Sequence, residues 1–172
     1  MESFFRRSCR CFKPQEIEKE KIEQIIKAGR YAPTGMNRQE IKFHVVTNKE
    51  KLQRLITETQ ESFKSNEQTA QFATNGITYG APLVIAMSCK KADLQWAKFD
   101  CGFASQNMII CADMLGLCTL PIGIPMMEGK VWPKVLGLGE DEELLLSVCI
   151  GYPGEEYKKE DKPLTNEVVY HN

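Results

Sequence analysis

The sequence lacks the features that mark several large classes of protein. None of its apolar runs approaches the length that crosses a bilayer, and no apolar segment follows the charged N-terminus as in a secretory signal. Lysine and arginine together number 22, against 23 acidic residues, so no general excess of positive charge favours nucleic acid. We therefore expect neither a membrane partner nor a nucleic-acid partner.

The familiar signatures of catalytic side chains are also missing. The sequence has no G-x-G-x-x-G motif after a strand, no P-loop and no G-x-S-x-G motif. The two histidines, His44 and His171, stand outside any motif, which leaves little basis for a histidine-activated nucleophile. If the protein is an enzyme, we expect a bound cofactor to supply the difficult chemistry.

Seven cysteines are scattered along the chain without a C-x-x-C pair. Because zinc sites need clustered cysteine and histidine ligands, we predict no metal site. Cys89, Cys111 and Cys149 lie in apolar runs, where a reduced thiol behaves as a small core residue. This usage predicts a cytoplasmic protein.

The length is that of one domain over residues 1–172, and hydrophobic periodicity predicts a mixture of helices and strands. The predicted helices cover residues 16–30, 49–63, 66–74, 96–115 and 130–136. The predicted strands cover residues 41–47, 81–89, 117–123 and 144–152. Helix 96–115 is apolar almost all round, so it is central or lies in a subunit interface. The polar tail, residues 153–172, ends in a strand pattern without a local partner, and we expect it to wrap over another subunit.

Two groups of residues are suited to a phosphate-bearing ligand. Arg6, Arg7 and Arg10 offer planar, bidentate anion binding, and Ser8 adds a hydroxyl. Near the other end, Lys159 and Lys162 lie in the run EYKKEDK. Taken singly, each group is better explained as a frayed terminus or a solvated loop.

Two further stretches are suited to a flat ring. Asn37 and Gln39, in the loop PTGMNRQ, offer amides that can read a ring edge. The turn LPIGIP places Gly123 between isoleucines, where an exposed backbone amide can approach a flat ligand. Each stretch alone is as well explained by an ordinary loop or turn, and only their joint order along the chain favours a shared ligand.

In that order, the sequence resembles the nitroreductase family of flavin enzymes. The resemblance runs through RRSCRCF, AGRYAPTGMNRQ, FDCGFASQNMIICADMLGLCTLPIGI and IGYPGEEYKKEDKP, which together cover most of the chain. It implies an α+β fold with a mixed, mainly antiparallel sheet flanked by helices. It also implies a domain-swapped homodimer with FMN at the interface between the subunits.

The resemblance assigns roles to particular positions. Arg6, Arg7 and Ser8 match the segment that holds the phosphate and ribityl chain, and Arg10 suits the pyrimidine edge near N1 and O2. The Gly123 amide suits N5. The remaining matching residues belong to the loop that reaches the flavin of the other subunit, to the turn under the ring, or to the C-terminal cations. They are Pro33, Thr34, Gly35, Asn37, Gln39, Pro121, Ile122, Lys162 and, with a weaker match, Lys159.

The implied activity is electron transfer from NADH or NADPH to nitroaromatics, quinones or similar conjugated acceptors by a ping-pong mechanism. Two alternatives stay open: a flavin enzyme of another reaction class on this fold, and a non-catalytic flavin-binding protein. The sequence departs from the family where many relatives read NRQPW, since Glu40 and Ile41 replace the Pro-Trp pair. This departure puts the local packing in question but not the fold.

Overall fold

The computed structural model describes residues 2–65, 69–72 and 76–171. It contains four strands, β1 (Lys42–Val46), β2 (Leu83–Lys90), β3 (Cys118–Ile122) and β4 (Glu142–Gly151). Its α-helices are α1 (Lys19–Arg30), α2 (Lys49–Lys64), α3 (Leu94–Met114), α4 (Ile124–Glu128) and α5 (Val131–Leu136). Short 3-10 turns lie at Glu2–Phe5, Gly35–Asn37, Ala70–Phe72 and Lys91–Asp93.

The strands form one sheet in the order β1-β2-β4-β3, and every pair of neighbours is antiparallel. The central strand β2 is buried along seven of its eight residues, which explains its continuous apolar sequence. A single parallel bridge, between Ser8 and Thr119, adds the N-terminal segment to the edge of β3. The predicted fold class is therefore confirmed.

Helices cover both faces of the sheet. One core holds Leu55 of α2 and Trp132 of α5 against the sheet, and the Trp132 indole N–H donates to Thr59 Oγ1 at 3.0 Å. The other core holds Ile25 of α1 and Met108 of α3. None of the helices in the described ranges is long and apolar enough to cross a membrane.

Helix α3 buries one side and exposes apolar residues on the other. Met108 and Ala104 are buried, whereas Trp96, Phe99 and Phe103 are 53%, 63% and 52% exposed. Exposed aromatic side chains at this density are typical of an interaction surface. The nearly all-apolar sequence of this helix is thus explained by two apolar faces, of which one has no cover within the protomer.

Hydrogen bonds tie the N-terminal segment to β3 and to the beginning of the tail. The amide of Cys9 donates to the Thr119 carbonyl at 2.9 Å. The amide of Lys13 donates to the Tyr152 carbonyl at 3.0 Å, and that of Gly154 donates to the Cys11 carbonyl at 2.9 Å. The two ends of the chain therefore meet at one edge of the sheet.

Some predicted elements differ from the observed ones. Helix α1 begins at Lys19 rather than at residue 16, because Glu18 is extended and its carboxylate accepts a hydrogen bond from the Tyr152 hydroxyl at 2.7 Å. The predicted helix 66–74 falls partly outside the described residues, and Ala70–Phe72 is a single 3-10 turn. Residues 166–171 form no strand within the protomer.

Candidate functional site

The two chain ends enclose a cationic cleft of about 390 Å³. Most of its lining is cationic or polar and comes from the N-terminal segment, α3 and the tail: Phe4, Arg6, Arg7, Ser8, Arg10, Gln106 and Lys162. Five of these residues are predicted site residues from opposite ends of the sequence. The structure brings both predicted anion-binding groups to one place.

Backbone pairing positions the arginines. The bridge between Ser8 and Thr119 joins the segment to β3, and the Gly154 amide, which donates to the Cys11 carbonyl, ties the residue after Arg10 to the tail. The Tyr157 hydroxyl donates to the Arg7 carbonyl at 3.1 Å and holds the segment from the tail side. The basic segment is thus fixed to the sheet rather than frayed.

The cleft carries unbalanced positive charge. Burial lowers the pKa of Arg6 from its usual value, and the neighbouring charge of Arg7 lowers it further, against the opposing effects of Tyr157 and Asp113. Arg6 donates to Ser8 Oγ at 3.5 Å. Among the described residues, no carboxylate forms an ion pair with Arg6, Arg7 or Arg10. Arg6 and Arg7 are half-buried and Arg10 is exposed, and arginines without a paired carboxylate are suited to binding a phosphate.

The two candidate lysines of the tail have different surroundings. Lys162 lines the cleft. Lys159 instead forms an ion pair with Asp113, with 2.8 Å between Nζ and Oδ1. The tail cation at the cleft is therefore Lys162, and Lys159 compensates a carboxylate of α3.

The predicted ring-reading loop is held to α3. The Gly35 amide donates to Asp100 Oδ2 at 3.0 Å, and the Gln39 amide donates to Thr34 Oγ1 at 3.1 Å. Gln39 Nε2 also donates to Asn37 Oδ1 at 3.2 Å, so the two exposed amides lie together.

Three residues of this loop, Met36, Asn37 and Gln39, have φ values of 56°, 55° and 53°. Left-handed backbone at a non-glycine residue is uncommon and costly, and it is concentrated at functional loops. Pro33 is exposed at the start of the loop.

The loop and the cleft lie on different sides of α3. Asp100 contacts the loop and Gln106 lines the cleft. Residues six positions apart on an α-helix point about 120° away from each other around its axis, which separates these two side chains. The cleft and the cavity beneath the loop share no lining residue. Within one protomer, the predicted site residues therefore fall into two separate groups.

The turn after β3 follows the strand to which the N-terminal segment is bonded. Ile122 is buried as the last residue of β3, and Pro121 and Gly123 are half-buried. The Gly123 carbonyl accepts from the amides of Met126 and Met127 at 3.0 and 3.2 Å and so begins α4. Its φ of −93° is open to any residue, so glycine is not required here by the backbone.

Comparison with known proteins agrees with this architecture. The model of the Nitroreductase family matches residues 4–152. The chain belongs to the nitroreductase family. A nitroreductase from Bacteroides fragilis, solved with bound FMN, has a TM-score of 0.86 at 25% identity, over 98% of this chain and 96% of that one. The predicted family and enzyme class are confirmed.

Two relatives extend the comparison. A protein of Archaeoglobus fulgidus, proposed to be an NADH dehydrogenase/NAD(P)H nitroreductase, is 28% identical over 92% of this nitroreductase-family chain and 89% of its own length. An NADPH-flavin oxidoreductase of Vibrio harveyi is 26% identical over 96% of this chain and 70% of its own length.

Sequence reasoning missed Gln106 and Asp100. Gln106 gives no signal, since one glutamine in a helix is usually a solvated residue. Asp100 does give a sequence signal, because it is the only charged residue between Lys98 and Asp113 in a largely apolar stretch of α3. A carboxylate there needs a buried partner, and Gly35 provides it.

Proposed function

We propose that this family member is an FMN-dependent NAD(P)H oxidoreductase that reduces nitroaromatics, quinones or similar conjugated acceptors by a ping-pong mechanism. The observation that carries the proposal is the gathering of four cationic side chains and one hydroxyl from both chain ends at one cleft: Arg6, Arg7, Ser8, Arg10 and Lys162. These donors match a phosphate and the polar chain attached to it. The FMN bound in the B. fragilis structure, and the NADPH-flavin oxidoreductase from V. harveyi, support the choice of ligand and donor.

The cleft residues fit FMN by charge and by position. Arg6, Arg7, Ser8 and Lys162 would hold the phosphate and ribityl chain. Arg10, which lines the same cleft, would lie at the electron-rich edge of the ring. The Gly123 amide would face N5. The phosphate of FMN would therefore supply the negative charge that balances the cations of the cleft.

The proposed active unit is a homodimer. The loop 33–39 cannot reach the cleft of its own protomer around α3, whereas the corresponding loop of a second subunit can complete it. The exposed apolar side of α3 and the tail residues Val168, Val169 and Tyr170, which are 69%, 62% and 83% exposed, support burial against a partner. The tail 153–172 is proposed to wrap over that partner.

In this proposal the protein contributes binding and electrostatics. FMN, when bound, supplies the electron-transfer chemistry. The arginines fix the orientation of the ligand and place positive charge beside it, and the partner's loop closes the site against water. Because no acid–base residue has to act, the lack of a catalytic histidine is consistent with the function.

The test begins with an absorbance spectrum of the purified protein after incubation with FMN. Addition of NADH, and separately of NADPH, should bleach the flavin band, and a nitroaromatic or a quinone should restore it. Failure to retain FMN would contradict the proposed cofactor. Retention without bleaching by either nucleotide would contradict the proposed electron donor.

Two variants of the tail test the role of the cleft. A hydrogen bond to a charged group contributes about 1.5–3 kcal/mol, so Lys162→Ala should raise the dissociation constant for FMN about tenfold or more. Lys159→Ala is the matched control, because this lysine faces Asp113, and it should cost clearly less. Equal losses in the two variants would refute the assignment of Lys162.

A further inference from the structure

Two carboxyl groups meet under the ring-reading loop. Asp100 of α3 is only 5% exposed, and its Oδ2 accepts the Gly35 amide. Both carboxylate oxygens of Glu40 are shielded from solvent and form no well-aligned hydrogen bond with a described residue, although the backbone amide of Glu40 itself lies close enough to act against the rise in the pKa. The Glu40 carboxyl lies against that of Asp100, whose proximity, after burial, raises the pKa of Glu40.

A proton between the two carboxyl groups would reconcile these observations. Two ionised carboxylates are both acceptors, so they repel each other and leave four oxygens competing for donors. One proton between them converts the repulsion into a hydrogen bond between a neutral acid and a carboxylate. It also turns one shielded oxygen of Glu40 into a donor, with Asp100 as its acceptor.

We propose that Glu40 and Asp100 share one proton, and that this acid pair is the positioning device for the loop that carries Asn37 and Gln39. The chain of contacts runs from the Glu40 hydroxyl to Asp100 and from Asp100 to the Gly35 amide. Asp100 and two loop residues, Thr34 and Gln39, line one cavity of about 250 Å³ beneath the loop.

This device compensates for the strained loop backbone. A run of left-handed residues at Met36, Asn37 and Gln39 persists only where its surroundings hold it. The Gly35 amide, immediately before this run, is held by a buried carboxylate rather than by neighbouring backbone. The effect on ligand binding rests on the proposed function, whereas the shared proton and the ordering of the loop do not.

Other charged groups surround the pair. Asp93, just before α3, adds negative charge and also raises the pKa of Glu40. Burial raises the pKa of Cys89 in β2 to about 11, and the negative charges of Asp93, Glu40, Glu143 and Glu142 add to this shift. The cationic side chains nearby are Lys42, which forms an ion pair with Glu142, and Arg30, which lines the cavity with Asp100.

The expected pH dependence follows from the direction of the shift. Because the pKa of Glu40 is raised in the folded state, its contribution to stability is complete below the usual carboxyl pKa. The contribution is lost as pH rises through the raised folded value. The loop should therefore loosen towards higher pH.

The experiment compares Glu40→Gln with the unmodified protein, and uses Glu50→Gln, on the exposed side of α2, as the matched control. Glutamine donates an amide N–H to Asp100 at every pH and so imitates the protonated acid. Thermal unfolding of the flavin-free protein is followed across the carboxyl range and above it. Relative to the unmodified protein and the control, Glu40→Gln should become progressively more stable as pH rises, because it alone lacks the contribution that is lost.

The same samples are titrated with FMN, and their infrared spectra are recorded. At the upper end of the pH range, Glu40→Gln should bind FMN about tenfold more tightly than the unmodified protein, which corresponds to about 1.4 kcal/mol. The carbonyl band of a protonated carboxylic acid should be present in the unmodified protein and missing in Glu40→Gln. Asp100→Ala, which leaves the Gly35 amide unheld, should weaken FMN binding at every pH.

Two results would overturn the shared proton. One is a parallel loss of stability with pH in Glu40→Gln and in the unmodified protein. The other is a carboxylic-acid band that is unchanged in Glu40→Gln. If the stability profiles differ as expected but no FMN binds, the proposed function fails while the acid pair stands. If FMN binds but the stability profiles are parallel, the acid pair is refuted while the proposed function stands.

Discussion

A glycine at the end of β4 allows the N-terminal segment to reach the sheet, and Gly151→Ala tests this directly. A Cβ atom at position 151 would lie 2.8 Å from Phe12 Cδ1 and 2.8 Å from Pro82 Cδ. Phe12 belongs to the segment that carries the arginines, and Pro82 precedes β2. The added methyl group would therefore push the basic segment away from the sheet.

The cost can be estimated from these distances. Carbon atoms in contact normally lie about 3.5–4.0 Å apart, so each neighbour would have to move by about 0.7–1.2 Å. Phe12 has little room to move, since it is only 9% exposed and belongs to the core, whereas Pro82 is half-buried. Overpacking of this kind costs about 1–3 kcal/mol. For a chain of this size we expect the unfolding midpoint to fall by about 2–4 °C for each kcal/mol.

The assay combines thermal unfolding with FMN titration. Gly151→Ala should unfold earlier and bind FMN less tightly, because the arginines move with Phe12. Phe12→Leu removes part of the obstructing ring, so the double variant should be more stable than the sum of the two single losses predicts. The coupling between contacting residues is typically about 0.5–3 kcal/mol. Strictly additive losses, or an unchanged midpoint in Gly151→Ala, would refute the reasoning.

Three further substitutions probe the core, the interface and the acid response. The buried Ser147 hydroxyl has no partner among the described residues, so Ser147→Ala should stabilise the protein by about 1 kcal/mol, and a lower unfolding midpoint would show that the hydroxyl is bonded. Phe103, 52% exposed on α3, should be covered in the dimer, so Phe103→Glu should yield monomers in light scattering and reduce FMN retention; an intact dimer would exclude this face. The Gly139 amide and Lys42 lower the pKa of Glu142, whose contribution is present above the usual carboxyl pKa and lost as pH falls. Glu142→Gln should therefore flatten the acid side of the stability profile, and an unchanged acid profile would contradict this.

The elements that could be predicted are those whose pattern is long and local. β2 and α3 were predicted within two residues at every end, because eight and 21 residues of regular pattern leave little ambiguity. α4 was missed, since it has only five residues and Pro125 lies in its first turn. The bridge from Ser8 to Thr119 joins residues 111 positions apart and has no local sequence signal.

The candidate site was predictable in its residue types but not in its geometry. Arginines and lysines at the two chain ends are visible in the sequence, whereas the choice between Lys159 and Lys162 depends on where Asp113 lies. The replacement of Pro-Trp by Glu40 and Ile41 is also visible in the sequence. Its consequence is not, because Asp100 becomes the neighbour of Glu40 only when α3 packs against the loop.

The two halves of the proposed site are held in different ways. Repulsion among Arg6, Arg7 and Arg10 opposes the closed cleft, and backbone hydrogen bonds from Cys9 and Lys13 offset this repulsion before any ligand arrives. The loop depends instead on one buried carboxylate contact from Asp100. A ligand that supplies negative charge would therefore relieve the repulsion in the first half. Because FMN binding and the ordering of the loop are linked, FMN should also favour the ordered loop, by the same factor by which loosening the loop weakens FMN binding.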